Sequence, residues 1–234
     1  MANAEHLEWL RAGGDRWHEW RSHHPNLIPD FSHASLMGLD LQAFDLRHAN
    51  FQGANLAYVS LQAANLSHAD LTLATLHSAK LRAADLSHTS LVGAALQQAD
   101  LRESTFRHAS LVGADLSYVN ARNADFSYVN LERSSLAYAN LQRATLNHAN
   151  LSKVNLLEAE LVSAYLFEAT LRGAQLTSTH LSHAYLFGTD FREAVLINAD
   201  LRWANLSRAN WDGATLQETD FSRSILTPNP QRKF

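Results

Sequence analysis

The ten residues Ala109-Ser110-Leu111-Val112-Gly113-Ala114-Asp115-Leu116-Ser117-Tyr118 hold the fold in miniature. Leu111 and Leu116 lie five apart. Each has an alanine two residues before it, Ala109 and Ala114. The pattern runs outward in both directions without slipping. From Phe31 to Leu226 every fifth residue is Leu or Phe at 38 of 40 positions, and Ala121 and Trp211 are the exceptions. The position two residues before each centre, from Ala34 to Ser224, is Ala in 26 of 39 cases. The residue just before the centre is Asp or Asn in 21 of 40. The unit is therefore Ala-(Asp/Asn)-Leu-x-x, with no internal linker.

A period of five is neither helical nor that of a flat strand. On a helix, five steps would smear Leu around the cylinder. On a strand, successive Leu would alternate faces. A chain that turns a corner once per unit puts every Leu inside. The Ala series is then a second inward position, kept small by a narrow interior. The other three residues point outward. Asp and Asn before the centre read as corner residues that tolerate unusual backbone angles and hydrogen-bond locally.

A second period counts the corners. His48, His68, His88, His108 and His148 share one slot at multiples of twenty. So do Gly53, Gly93, Gly113, Gly173 and Gly213, and so do Tyr58, Tyr118 and Tyr138. Four units make one square coil, and residues n and n+20 stack about 4.8 Å apart. Ten such coils predict a rod of about 48 Å.

These in-register units resemble the pentapeptide-repeat family, whose pattern is A(D/N)LXX. The resemblance covers residues 31–226. It implies an all-β fold, a right-handed quadrilateral parallel β-helix, with the handedness taken from the family. The predicted organisation is a helical cap over 1–29, the β-helix over 30–226 and a tail over 227–234. In the cap, Ala4–Arg11 and Asp15–Arg21 read as short helices broken at Gly13-Gly14, with Asp15 as the second N-cap. Leu7, Trp9, Leu10, Trp17 and Trp20 supply the face that covers the first coil. Trp17-His18-Glu19-Trp20-Arg21 resembles the cap of cyanobacterial members. Pro228 and Pro230 are expected to blunt the last edge. Gyrase-interacting relatives dimerise through a C-terminal helix that this sequence lacks, so a monomer is expected. Inside the coils, Trp211 is expected to widen its Leu-sized slot, and Phe106 and Phe126 to offset Ala121.

Composition narrows function. Lys and Arg number 19 against 23 Asp and Glu, a net charge of -4. That balance predicts no direct nucleic-acid or membrane binding. With no cysteine there is no disulfide, thiol nucleophile or thiolate metal site. The start has no secretory leader and no run has membrane-span length, which predicts a cytoplasmic protein. No nucleophile elbow, P-loop or dinucleotide fingerprint occurs, so no enzyme and no cofactor are expected.

Three surfaces remain. Tyr165 and Phe167 flank Leu166, and Tyr185 and Phe187 flank Leu186, twenty residues on. With Trp203 at the neighbouring corner they predict an exposed aromatic patch for a protein partner. The ladder His48, His68, His88 and His108 offers a metal bridge between converging rings, or like-charge repulsion that loosens the coils below about pH 6. Arg82, Arg102 and Arg122 form a mixed strip weakly suited to anions. The leading reading is a non-enzymatic scaffold or regulatory binder, the role the resemblance to cyanobacterial members also implies. DNA-mimic binding to gyrase is the alternative. Its difficulty is charge: the repeats carry 19 acids against 14 Lys and Arg, whereas DNA of that length carries about 28 negative charges.

Overall fold

The computed structural model describes residues 2–226. Residues 30–226 form one square coil. Residue n pairs with n+20 in parallel bridges, each one residue wide, from Asp30 with Asn50 to Asn205 with Ile225. The Leu and Phe centres from Phe31 to Leu206, and the small residues two before most of them, fill the axis and are almost fully buried. Where that second slot is polar, its hydroxyl is satisfied internally in every case but Ser224 of the last described coil. Ser134 donates to the Leu131 carbonyl at 2.7 Å and Thr179 to the Leu156 carbonyl at 2.8 Å.

All five backbone N–H groups of a unit have a destination. Around Leu116, the Ala114 N–H closes the turn onto the Leu111 carbonyl at 3.0 Å. The Asp115 N–H reaches back to Ala94, while those of Leu116 and Tyr118 reach forward to Ser135 and Ala137. The fifth, on Ser117, is left out of the ladder and donates to the Asp115 side chain at 2.9 Å. Asp and Asn therefore recur before the centre because they accept this otherwise orphaned donor.

The unusual backbone angle falls elsewhere than expected. It belongs to the residue two after the centre. Every one from His33 to Arg223 has positive φ, and 32 of these 39 are not glycine. Such a residue pays about 1–2 kcal/mol in steric strain, recovered by the ladder on either side. At some glycine corners a neighbouring side chain leans over the space a Cβ would take and would have to move aside. A Cβ on Gly93 would lie 2.8 Å from a Leu73 methyl.

The bulky centres stack along the axis. Phe31 lies on Phe51 at 5.1 Å and Phe106 on Phe126 at 4.8 Å, on the side next to Ala121. The expected widening at Trp211 is absent. Its ring lies flat on Phe191 at 4.4 Å, and the flanking bond from the Phe191 N–H to the Asn210 carbonyl is 2.7 Å. Trp211 is in the last described coil, where room lies above it. The expectation for Pro228 and Pro230 lies outside the described residues.

Two helices cover the first coil, α1 (Ala4–Arg11) and α2 (Gly14–His23). Asn3 caps α1 by accepting from the Glu5 and His6 N–H groups. The N-cap of α2 is Gly13 rather than Asp15, which lies inside the first turn. Leu10, Trp17 and Trp20 are buried against Phe31 and Phe44. His6 is buried with them, edge-on to Trp20, and its Nδ1 accepts the Asp30 N–H at 2.9 Å.

Two predictions follow from strain and burial. Ala83 has φ 58° and an exposed side chain. Ala83→Gly should raise stability by about 1 kcal/mol, read as a higher melting temperature; an unchanged or lower one contradicts strain at the corner. Burial holds the His6 pKa below 6.5, against the opposing pull of Glu5 and Asp30. The unfolded chain takes up that proton first, so the cap is most secure above 6.5 and loosens as pH falls below it. Tryptophan-monitored melting should show a larger loss between about pH 7 and pH 5 in the native chain than in His6→Gln.

Candidate interaction surface

The left-handed corner aims its side chain outward and repeats it every coil. His48, His68, His88 and His108 therefore stack face to face, with centroids 4.8–5.0 Å apart and planes within 15°. The column continues past the predicted four. Tyr128 lies on His108 at 5.0 Å and His148 on Tyr128 at 4.8 Å. Six rings thus run about 24 Å along one edge, five coil spacings.

The column then meets the aromatic patch. The His148 ring stands edge-on to Phe167 at 5.3 Å. Phe167 stacks on Phe187 at 5.7 Å, and Tyr185 lies 6.4 Å from both. The Arg208 guanidinium covers Phe187 at 5.3 Å. The corner itself changes character here. Glu168 follows His148 and comes within 3.6 Å of its Nδ1, and Gly188 follows Glu168. The ladder and the patch, predicted as separate sites, are one strip. At its other end, exposed Leu27 and Ile28 line a hollow with His48.

Two predicted members stand apart. Tyr165 is bridged to Tyr185 through the backbone and is 51% exposed, without a ring partner among the described residues. Trp203 stacks on His183 at 5.9 Å beneath Arg223 at 4.6 Å, a separate pile at the neighbouring corner.

The ring geometry limits the chemistry. Faces are used up by stacking, so a partner meets ring edges with their nitrogens and hydroxyl. Parallel rings nearly 5 Å apart cannot both reach one ion at about 2.0 Å. Among the described residues no cluster of three or more His, Asp or Glu suits a metal.

Two of the three arginines of the charged strip are neutralised: Arg82 pairs with Glu103 at 2.9 Å and Arg102 with Asp100 at 2.6 Å, while Arg122 has no ion-pair partner among the described residues. An Asp-centre-Arg unit, with Leu or Phe as the centre, closes on itself in the same way at Asp45–Arg47, Asp190–Arg192 and Asp200–Arg202. Hydrogen bonding to Arg47 holds the Asp45 carboxyl below the usual carboxylate range. Arg102 does the same for Asp100, and Arg202 for Asp200. These guanidiniums are already committed to carboxylates and leave little for an external anion.

Sequence reasoning missed Tyr128 as a column member, placed His148 in the slot without joining it to the ladder, and missed Arg208. The signal for the first two was present: both sit at multiples of twenty from His108. It required treating Tyr and His as equivalent rings.

A stacked square coil with an outward ring column defines a repeat solenoid that presents surface rather than a pocket. The model for pentapeptide repeats matches in eight copies over residues 30–77, 79–117, 114–152, 144–182, 174–210 and 194–227. The chain belongs to the pentapeptide-repeat family, and its coil is the family's right-handed quadrilateral β-helix. It is similar to HetL, a pentapeptide repeat protein involved in heterocyst differentiation regulation from the cyanobacterium Nostoc sp. strain PCC 7120. The two are 28% identical, covering 89% of this chain and 95% of HetL, with a TM-score of 0.83. QnrB1, a plasmid-mediated fluoroquinolone resistance protein, is 18% identical over 82% of this chain and 89% of its own, with a TM-score of 0.44. That likeness is one of fold alone. No curated protein matches in sequence. No helix among the described residues is long and apolar enough to cross a membrane.

Proposed function

We propose that this protein is a non-catalytic regulatory binder that docks another protein along the aromatic strip. The observation that carries it is the contact of His148 with Phe167 at 5.3 Å, which joins ladder and patch into one surface. Partly exposed aromatic rings gathered into one strip mark interaction sites, and a few aromatic residues carry most binding energy there. The likeness to HetL, whose role is regulatory, supports the same class. DNA mimicry is less well supported, because the repeats carry only 19 acids against 14 Lys and Arg, and Asp45, Asp100, Asp190 and Asp200 each pair with an Arg of their own unit.

Affinity capture from lysate of the source organism tests this with two variants. One carries Ser at Tyr165, Phe167, Tyr185 and Phe187, and the other carries Ser at Tyr118 and Tyr138 on a different corner. A protein held by the native chain and the second variant, and weakened about tenfold or more by the first, is the expected result. Equal retention by both moves the site off the strip. Gyrase subunits among the captured proteins would favour mimicry.

A further inference from the structure

The coil ladder has a direction. On each side two N–H groups point toward the next coil and one points back. The Leu36 and Gly38 N–H groups donate forward to Asn55 and Ala57, while the Asn55 N–H donates back to Ala34. The same three bonds recur at Leu116 and Tyr118 with Ser135 and Ala137, answered by Ser135 to Ala114. The rod therefore ends in excess carbonyls at its first coil and excess N–H groups at its last. The first end is closed by donors. Asn3 N–H meets the Asp30 carbonyl at 3.0 Å, Trp17 Nε1 the Asp45 carbonyl at 2.8 Å, and Arg21 Nη2 the Arg47 carbonyl at 3.0 Å. The buried Arg21 guanidinium gives one nitrogen to this acceptor-rich end and another to the Leu27 carbonyl at 2.8 Å, while its Nε has no hydrogen-bond partner and burial lowers its pKa.

The last described coil is the converse. Among the described residues no acceptor meets the N–H of Gly213, Leu216, Glu218, Phe221 or Arg223. The interior is open too. Leu216 and Phe221 are only half-buried, and Ile225 and Leu226 are 57% and 41% exposed. We propose that this end is a docking edge for an extended segment of another polypeptide, which adds as a further side of the coil. Two of its carbonyls accept from Leu216 and Glu218, or from Phe221 and Arg223. The apolar side chain between them closes over the open core, a form of strand addition. A second copy of this chain fits poorly. Two-fold, end-to-end docking sets two donors against every acceptor on each side, and the acceptor-rich first coil of a second copy is already covered by α1 and α2. This surface is independent of the aromatic strip.

Amide hydrogen exchange of the full chain, followed residue by residue, tests the edge. The probe is a synthetic peptide of residues 109–118, two adjoining repeat units. The five named amides should exchange freely in the chain alone and slow about tenfold or more with saturating peptide. Phe221→Glu should abolish that slowing while amides across 36–206 stay protected, which shows the rod intact. Free exchange that the peptide leaves unchanged overturns the proposal. So does protection already present in the free chain: if removing residues 227–234 releases it, this chain's own tail fills the edge, and if dilution releases it, a second copy does. Slowing confined to the aromatic strip also overturns it.

Discussion

The structure depends on one backbone event, a left-handed residue two places after each buried centre. It turns the chain through a corner, returns the next Leu to the axis and aligns three of the five N–H groups of a unit with the coil above or below. Because non-glycine residues occupy most corners, the strain is real and distributed. The ladder and the buried Leu column hold it. Every larger feature follows from the four-corner coil. Residues twenty apart stack one coil spacing apart, so a ring kept at one corner becomes a column. A core position changed to Phe is best matched by Phe in the next coil, as Phe106 and Phe126 show.

Much of this was legible in sequence because the period lies in side chains. Leu every five residues and His every twenty are visible without coordinates, and together they define the square coil. The role of Asp and Asn was only half legible. Local hydrogen bonding was expected and occurs, but the strained angle belongs to the next-but-two residue, whose identity varies from His to Arg. A side-chain pattern does not reveal which backbone atom lacks a partner. The start of α2 was misplaced for a related reason: Gly13, with φ 97°, sets the break and Asp15 has no capping to do.

The surface was legible in pieces. The ladder and the patch each appear as a spacing of twenty, but they lie in different slots of the unit. Their meeting at His148 and Phe167 depends on how two side chains lean across a corner. Trp203 shows the opposite error, since proximity in slot and coil suggested one patch where its ring stacks on His183 instead. Ladder direction was invisible altogether, being a property of the backbone. It explains why the first coil tolerates a buried Arg21 and why the two ends suit different neighbours. The functional conclusion is accordingly about surfaces. The axis is filled, so the outward slots carry the contacts open to other molecules along the coil.

The most direct measurement is thermal unfolding of two shortened chains. One lacks residues 131–150, a complete coil whose four centres are all Leu. The other lacks residues 131–137, which displaces every later centre from the axis. If the coil closes every twenty residues, the first should melt cooperatively with only a modest loss of stability. The second should lose cooperative melting. Similar melting of the two, or collapse of the first alone, would contradict a coil held in register by the inward residue of each five.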